Sequence, residues 1–331
     1  MKLSIVTTLY RSAASIDEFC RRALKAAEAI TDDIELLFVN DGSPDDSIDL
    51  ALALQQSDPR VVVIDLARNF GHHKAMMTGL AHANGDLVFL IDSDLEEQPE
   101  DLALLYQRFM RGDCDVVYGI LESRRGGFFE RIPGALFFSL LEALSDHPVP
   151  RNVFTARLMT PDYVKALLRH RDREFSISHL WQVTGFRQQP VALKKLSLSP
   201  TSYTLRHRIE MAIRDITTTS SKLLYLIFYI GVSILGLSVA VIVYFLGRYF
   251  TRGVGVDGFT SEIVSIWFLG GLITFILGVL GIYIANILAE TKRRPYTTVR
   301  RVYRRGNLTN SAPNAVQVRS TVPGPDTSAG R

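Results

Sequence analysis

Short apolar runs alternate with amphipathic stretches along the first 120 residues of the chain. The apolar runs predict four β-strands, KLSIVTTLY, IELLFVNDGS, VVVIDLARN and DLVFLIDSD. Between them, apolar residues at helical spacing predict helices over SIDEFCRRALKAAEAI (which Ser15 is placed to cap), DDSIDLALALQQS and HKAMMTGLAHAN. Because continuously apolar strands alternate with helices, we predict an α/β fold with a mostly parallel sheet covered by helices on both faces.

Two long apolar runs dominate the last third of the chain. They lie at about 223–248 and 263–289, and no charged residue interrupts them between their ends. A helix needs about 20 apolar residues to cross a bilayer core, so we predict two transmembrane helices. Basic residues are concentrated outside this pair, at Arg206, Arg208, Arg214, Lys222 and within 292–305. The positive-inside rule then places both termini and the N-terminal domain on the cytoplasmic side of the membrane, which in a bacterium is the inner (plasma) membrane.

We divide the chain into four parts. They are an α/β domain at 1–200, a juxtamembrane amphipathic helix within 201–222, the two transmembrane helices at 223–289, and a basic cytoplasmic tail at 290–331. Apolar residues at helical spacing and three arginines in 204–217 predict a helix on the membrane surface, with a linker helix packed on the domain as the alternative. The polar end of the tail, rich in Pro, Ser and Thr, is predicted to be disordered.

Composition narrows the class of protein only modestly. At 331 residues and 47% hydrophobic, the chain is long enough for one or two domains with a sizeable core. A formal charge of +3 is too mild to indicate nucleic acid, and we expect no such partner. Its two cysteines, Cys20 and Cys114, are too few for a disulfide framework and fit buried apolar positions in a reducing compartment.

The fourth predicted strand ends in a group of carboxylates. The stretch VFLIDSDLEEQPE, residues 88–100, places Asp92 and Asp94 one residue apart, with Glu96, Glu97 and Glu100 close behind. Like charges at a strand end destabilise the fold unless a cation lies among them. Two carboxylates at i and i+2 can both reach a hard cation, and Mg²⁺ and Mn²⁺ prefer oxygen ligands. An Asp-x-Asp motif alone is weak evidence, because surface turns often contain it.

The position of this motif strengthens the prediction of a site. In parallel α/β sheets, ligands bind beyond the carboxyl ends of the strands. Three predicted strands end in the polar stretches TTLYRS, NDGSPDDS and DSDLEE, which we expect along one edge of the sheet. The sequence therefore predicts a ligand site at this edge, with a divalent cation held by the carboxylates.

Several motifs resemble those of the polyprenyl-phosphate glycosyltransferases of glycosyltransferase family 2, which include relatives of dolichyl-phosphate mannose synthase and bacterial undecaprenyl-phosphate glucosyltransferases. The stretches are VNDGSPDDS, ARNFGHHKAMMTGLAHANGDLVFLIDSDLEEQPED and ARLMT, followed by two predicted spans, and the resemblance covers residues 1–300. It implies a GT-A fold, a nucleotide-diphosphate sugar donor, Mg²⁺ or Mn²⁺, and a membrane-embedded polyprenyl phosphate acceptor. It also implies inversion at the anomeric carbon and a homo-oligomer, by resemblance a tetramer.

The resemblance also assigns roles to individual residues. It implies nucleotide contacts at Thr8, Leu9, Tyr10, Asp41 and Asp92, and metal ligation by Asp94, the main ligand, with Asp92 and Glu96. The implied catalytic set is Asp92, Asp94, Arg124, Arg131 and Thr155, in which the two arginines meet the donor or lipid phosphates.

Some positions depart from the family pattern and indicate a divergent branch. Thr155 occupies the place of an Asp often proposed as catalytic base, Leu121 that of a phosphate-binding Arg, and Ser202 that of a juxtamembrane Lys. The reaction that the resemblance implies does not require this base. A phosphate monoester has a second pKa of about 6 and is largely a dianion at neutral pH, so the acceptor needs no proton removed. Thr155 is then free to hydrogen-bond the sugar.

We therefore expect transfer of one sugar, from a UDP-sugar in preference to other donors, to undecaprenyl phosphate for cell-surface glycan assembly. One alternative is a non-catalytic scaffold that binds nucleotide sugars, motivated by Thr155, Leu121 and Ser202. A processive polysaccharide synthase is another, but its Gln-x-x-Arg-Trp motif is missing from SHLWQVTGFRQQ, and two spans make no obvious channel.

Overall fold

The computed structural model describes most of the chain outside two long internal stretches and the C-terminal end. The described residues are 1–121, 153–170, 172, 175–194, 196, 222–252, 259–292 and 294–305. The predicted juxtamembrane helix at 204–217 and the end of the predicted tail, from residue 306, lie outside these ranges.

Within the described residues, eight strands form one sheet in the order β7-β5-β6-β4-β1-β2-β3-β8. The strands are β1 (Leu3–Leu9), β2 (Ile34–Asn40), β3 (Val61–Leu66), β4 (Leu87–Leu90), β5 (Val116–Leu121), β6 (Val153–Met159), β7 (Gln188–Leu193) and β8 (Val299–Tyr303). Four neighbouring pairs are parallel, and β6 and β8 pair antiparallel to their neighbours. The mostly parallel sheet confirms the predicted α/β class and is GT-A-like.

Helices cover both faces of the sheet. They are α1 (Ile16–Glu28), α2 (Ser47–Ser57), α3 (His72–His82), α4 (Leu102–Phe109), α5 (Pro161–Leu167) and α6 (Ile177–Val183). Two further helices follow along the chain, α7 (Lys222–Arg252) and α8 (Phe259–Thr291). Every position of β1 to β4 is buried, as continuously apolar strands require. Side chains of successive residues point to opposite faces, so Ile5 packs in the core with α1 and Val6 in the core with α3.

Two local predictions need correction. Ser15 lies at the N-cap position of α1, but its hydroxyl donates to the Ser12 carbonyl oxygen and caps no helix N–H group. The strand predicted over DLVFLIDSD ends at Leu90. Beyond it the chain turns, with Leu95 in the left-handed region at φ 61°. The carboxylates that directly follow Leu90 therefore lie in a loop. Their side chains do not have to alternate between the two faces of the sheet as they would in a strand.

The segment after the second apolar helix holds a strand that the sequence did not indicate. Residues 290–331 were predicted as a basic tail, yet Val299–Tyr303 form β8, antiparallel to β3 at the edge of the sheet. Basic residues on an edge strand are common, because charge there discourages pairing with other chains. The short run VRRVY carries too little apolar alternation to be recognised locally.

Helices α7 and α8 cover the two apolar runs. Within the residues described, one segment is long and apolar enough to cross a membrane, Leu269–Leu288, which has a mean hydropathy of 2.2 and is 6% buried. A shorter apolar segment runs over Leu224–Ile234 in α7. The arrangement with two membrane spans stays a prediction.

Candidate active site

A cleft with a volume of about 70 Å³ opens at the carboxyl ends of β1 and β2, the edge at which the sequence places a ligand site. It is lined by Thr8, Tyr10, Asp41, Asn69 and His72. Three of the predicted nucleotide-binding residues thus share one cleft. The Tyr10 ring is 47% exposed, which leaves a face available for a planar ligand group.

Leu9 is placed differently from its neighbours. Its side chain is fully buried in the core, because alternation along β1 turns it away from the cleft. The Leu9 carbonyl oxygen accepts a 3.0 Å hydrogen bond from the Asp41 N–H. Leu9 therefore supports the loop that carries Asp41 and does not present its side chain to a ligand.

Asp41 holds the loop before α3 against the end of β2. Its Oδ1 accepts a hydrogen bond of 2.7 Å from the Phe70 N–H, and its Oδ2 accepts one of 2.9 Å from the Gly71 N–H. Burial raises the pKa of Asp41 above its usual range, although these two hydrogen bonds oppose the rise. Each carboxylate oxygen keeps a second lone pair, so the predicted contact with a base or ribose is chemically available.

His72, at the first position of α3, joins the ends of two strands. Its Nδ1 lies 3.0 Å from Thr8 Oγ1 near the end of β1, and its Nε2 lies 3.2 Å from Asp92 Oδ1 after β4. Desolvation opposes a charged imidazole, but the hydrogen bond to Asp92 and the surrounding carboxylates outweigh it and raise the pKa of His72. Sequence reasoning missed this residue. The available signal was a His next to the predicted start of a helix. The first turn of a helix that follows a parallel strand lies on the side of the sheet where the polar strand ends lie.

Thr155 contacts Asp92 through Oδ2, the carboxylate oxygen that His72 does not contact. The Thr155 hydroxyl donates a 2.8 Å hydrogen bond to Asp92 Oδ2, so the carboxylate is held between His72 and Thr155. Glu97 holds the backbone that carries Thr155. It accepts hydrogen bonds from the N–H groups of Thr155, at 3.0 Å, and Ala156, at 2.7 Å. Glu97 is 3% exposed, so these bonds replace its lost hydration.

Arg157 stabilises the same end of β6 from within the core. It is 1% exposed, its guanidinium lies over the Trp181 ring, and it donates to the carbonyl oxygens of Phe154 and Thr155. Burial lowers the pKa of Arg157 to about 9. Stacking and hydrogen bonds to the strand's own carbonyl groups fix the backbone from which Thr155 reaches Asp92.

The group of carboxylates after β4 separates into different environments in the structure. Glu97 binds the backbone of β6, and Glu100 forms an ion pair of 2.5 Å with Arg22 on α1. Asp92 is half-buried beside His72, whereas Asp94 is exposed and accepts a 2.9 Å hydrogen bond from the Glu96 N–H. The repulsion expected from the sequence is therefore relieved without bringing every carboxylate to one point.

Two of these carboxylates, those of Asp92 and Asp94, are left to bind a metal ion. Among the residues that the structure describes, no three His, Cys, Asp or Glu side chains form a metal-binding group, so the predicted set of Asp92, Asp94 and Glu96 is not assembled. Mg²⁺ is usually held by one or two carboxylates together with substrate phosphates and water. Asp92 and Asp94, oxygen donors at the edge of the cleft, fit that mode of binding.

Other predicted positions lie apart from this cleft or outside the described residues. Leu121 is the last residue of β5 and is partly buried. Arg124, Arg131 and Ser202 belong to ranges that the structure does not describe.

Comparison with known proteins agrees with this geometry. The family model described as glycosyl transferase family 2 matches residues 4–168, which include the cleft, both aspartates and Thr155. A protein of Mycobacterium tuberculosis named as putative glycosyltransferases is 46% identical over 318 residues, with 96% of this chain and 92% of the relative covered.

Two further relatives match along nearly their whole length. The uncharacterized glycosyltransferase YkcC of Bacillus subtilis is 32% identical, with 92% of this chain and 94% of the relative covered. The prophage bactoprenol glucosyl transferase homolog of Escherichia coli is 30% identical, with 91% of this chain and 99% of the relative covered. With the GT-A-like sheet and a cleft bordered by an Asp-x-Asp motif, these matches show that the chain belongs to glycosyl transferase family 2 and is a glycosyltransferase.

Proposed function

We propose that the protein transfers a single sugar from a nucleotide-diphosphate sugar, with UDP-sugars favoured, to a membrane polyprenyl phosphate such as undecaprenyl phosphate, with inversion at the anomeric carbon. The observation that carries the proposal is the cleft itself. We assign the nucleotide to the side of the cleft that Tyr10 and Asp41 line, and His72 connects this side to the Asp92 carboxylate. A nucleotide bound there would direct its diphosphate toward the Asp-x-Asp motif.

The acceptor is inferred from relatives and from composition. The name of the Escherichia coli relative pairs a glucosyl group with bactoprenol, a polyprenyl lipid, and that protein covers 91% of this chain. In our proposal α7 and α8 are two membrane spans with both termini on the cytoplasmic side. The basic residues of 292–305 then lie at the inner membrane face, where they attract anionic headgroups.

Homo-oligomerisation through the spans is part of the proposal. Helix α8 contains the small residues Gly270, Gly271, Gly278 and Gly281. Small residues allow helices to approach closely in a membrane.

The residues of this chain act mainly by orientation in the proposed reaction. The acceptor phosphate is largely a dianion at neutral pH, so the attacking oxygen needs no general base. The Thr155 hydroxyl accordingly donates a hydrogen bond to Asp92 and does not act as a base, and His72 lies beside the other oxygen of the same carboxylate. A bound Mg²⁺ or Mn²⁺, held by Asp92 and Asp94, would supply Lewis-acid stabilisation of the diphosphate leaving group.

The test uses the full-length protein purified in detergent with Mg²⁺ or Mn²⁺. Undecaprenyl phosphate is incubated with a panel of UDP-, GDP- and dTDP-sugars, and the lipid is followed by mass spectrometry. We expect a mass gain of one sugar that disappears in Asp94→Asn. Asp113→Asn is the matched control, because Asp113 is an exposed aspartate paired with Arg108 outside the cleft.

Each outcome of this experiment bears on the proposal. A mass gain that survives Asp94→Asn would argue against the role of the Asp-x-Asp motif. Cation-dependent nucleotide binding without lipid modification by any donor would contradict transfer to a polyprenyl phosphate and favour a scaffold that binds nucleotide sugars.

A further inference from the structure

The chain returns from α8 to the α/β domain and completes its sheet. Residues 299–303 pair antiparallel with β3, with Val302 opposite Ile64, and the Ala67 N–H donates a 2.9 Å hydrogen bond to the Thr298 carbonyl oxygen. Val299 and Val302 pack against the core on the α3 side of the sheet. The edge of the sheet is therefore closed by a segment that follows a candidate membrane span.

The residues just before β8 contact α3. Thr297 Oγ1 lies 2.8 Å from Thr78 Oγ1, and the Tyr296 ring packs edge-on against Phe175 with ring centroids 6.5 Å apart. Thr78 is buried in the middle of α3, the helix whose first residue is His72 in the cleft. The returning segment thus holds the helix that supplies one wall of the site.

A chain of hydrogen bonds leads from β8 to the nucleotide side of the cleft. Arg300 Nη1 donates to Asp65 Oδ2 at 3.2 Å, and Asp65 Oδ1 accepts a 2.8 Å hydrogen bond from Asn40 Nδ2. Asn40 Oδ1 in turn accepts a 3.1 Å hydrogen bond from the Ser43 N–H. Asp65 is 3% exposed, so its charge depends on these partners rather than on water.

This chain ends at the two loops that border the cleft. Asn40 directly precedes Asp41, and Ser43 Oγ accepts a 2.7 Å hydrogen bond from the Arg11 N–H, next to Tyr10. Arg11 has φ 57°, a conformation that costs a non-glycine residue free energy and persists only where contacts hold it. The hydrogen bond from Arg11 to Ser43 is such a contact.

The connection between α8 and the domain is short. Helix α8 ends at Thr291, and Tyr296 already contacts the domain. Five residue steps span at most about 17 Å. The point at which Tyr296 rejoins the α/β domain therefore lies within that distance of the end of α8.

We propose that residues 296–303 are a positioning tether, which orders the two nucleotide-side loops through Arg300, Asp65 and Asn40 and holds α3 through Thr297. The tether also limits how far the end of α8 can lie from the α/β domain. Its effect on kinetics rests on the proposed function, whereas its effect on the loops does not. A strand that only covered the edge of the sheet would need just its backbone hydrogen bonds to β3. Side-chain hydrogen bonds that lead from this strand to the cleft would not be required.

Two truncated proteins test the tether without any substrate. One ends at residue 293 and lacks the tether, and its matched control ends at residue 305 and keeps it. We expect hydrogen–deuterium exchange about tenfold faster in 40–43 and 68–72 of the shorter protein, since hydrogen bonds that order these loops are lost. Strands β5 and β7, at the far side of the sheet, should be unchanged. Faster exchange confined to 61–66 would overturn the proposal and leave β8 as an edge cover.

Point variants separate positioning from general stability. The double variant Thr297→Val with Arg300→Gln removes both side-chain contacts and leaves β8 in place. Arg301→Gln is the control, because that guanidinium lies near the Tyr303 ring, 5.7 Å from its centroid. We expect the double variant to raise the KM for the nucleotide sugar about 5- to 10-fold, with kcat and the melting temperature close to those of the control.

The two experiments fail in distinguishable ways. An unchanged KM in the double variant, together with unchanged exchange in 40–43, would contradict the tether. If the unaltered protein transfers no sugar, the proposed function fails, and the exchange measurement still decides the inference about the tether.

Discussion

The hydroxyl of Thr155 donates a 2.8 Å hydrogen bond to Asp92 Oδ2, joining the start of β6 to the loop after β4. This is the position at which the family pattern places an Asp proposed as catalytic base. A threonine hydroxyl does not ionise near neutral pH, and here its proton is directed to Asp92. In the proposed reaction, Thr155 therefore orients the Asp-x-Asp motif and does not act as a base.

Thr155→Val should lower the transfer rate while Thr155→Ser should largely keep it. A hydrogen bond to a charged group contributes about 1.5–3 kcal/mol, which corresponds to about 10- to 100-fold in rate if the contact orients Asp92 in the reaction. The measurement is the initial rate of lipid glycosylation at saturating donor. Equal rates for the Val and Ser variants would show that this hydrogen bond does not position Asp92 for catalysis.

Gly42→Ala should destabilise the protein and disturb the cleft. Gly42 has φ 59°, and a Cβ there would lie 2.5 Å from Asn69 N and 2.6 Å from the Arg68 carbonyl carbon. Both neighbours are backbone atoms that cannot move aside without shifting the loop before α3. We expect a loss of more than about 2 kcal/mol in unfolding free energy, from backbone strain together with the clash.

Gly112→Ala is the matched control for that substitution. Gly112 also has a positive φ, 81°, but nothing lies within 4 Å of the place where its Cβ would be. It should cost about 1 kcal/mol, the strain alone. Equal losses in denaturant unfolding of the two variants would mean that the close approach at Gly42 carries no cost of its own.

Glu35 should make stability depend on acid pH. Burial opposes its charge, but hydrogen bonds from Lys2, Ser4 and the Asn84 N–H outweigh burial and lower the pKa of this carboxyl. A lowered pKa means that the contribution is present above the unfolded value of about 4.3 and is lost as pH falls through the folded value. Between about pH 5 and pH 3, the melting temperature of the unaltered protein should therefore fall more steeply than that of Glu35→Gln. Parallel curves would contradict this assignment.

Both cysteines should resist alkylation in the folded protein. Burial, with a smaller effect from the Asp58 charge, raises the pKa of Cys20 to about 12, and burial also raises the pKa of Cys114. The thiolate is the reactive form, so little is present at neutral pH. Iodoacetamide followed by intact-mass measurement should show no adduct until denaturant is added. Rapid labelling of the native protein would show that these sites open readily.

Local patterning was sufficient for the class of fold and for the location of the site. Continuously apolar strands alternating with amphipathic helices dictate a buried parallel sheet, because such strands are stable only when both faces are covered. That arrangement brings the carboxyl ends of β1, β2 and β4 to one edge, where the polar stretches TTLYRS, NDGSPDDS and DSDLEE lie. The roles of Thr8, Asp41 and Asp92 within these stretches were implied by the family resemblance. Apolar length likewise located α7 and α8.

Tertiary structure alone decided which polar groups meet. Thr155 reaches Asp92 across 63 residues, and Arg300 reaches Asp65 across 235. Such contacts depend on strand register and on which edge a returning segment covers, and neither is encoded in the spacing of neighbouring residues. The same long-range packing sends Glu97 to the backbone of β6 and leaves Asp92 and Asp94 at the cleft. The sequence by itself determined the kind of site, and the register of distant strands determined its geometry.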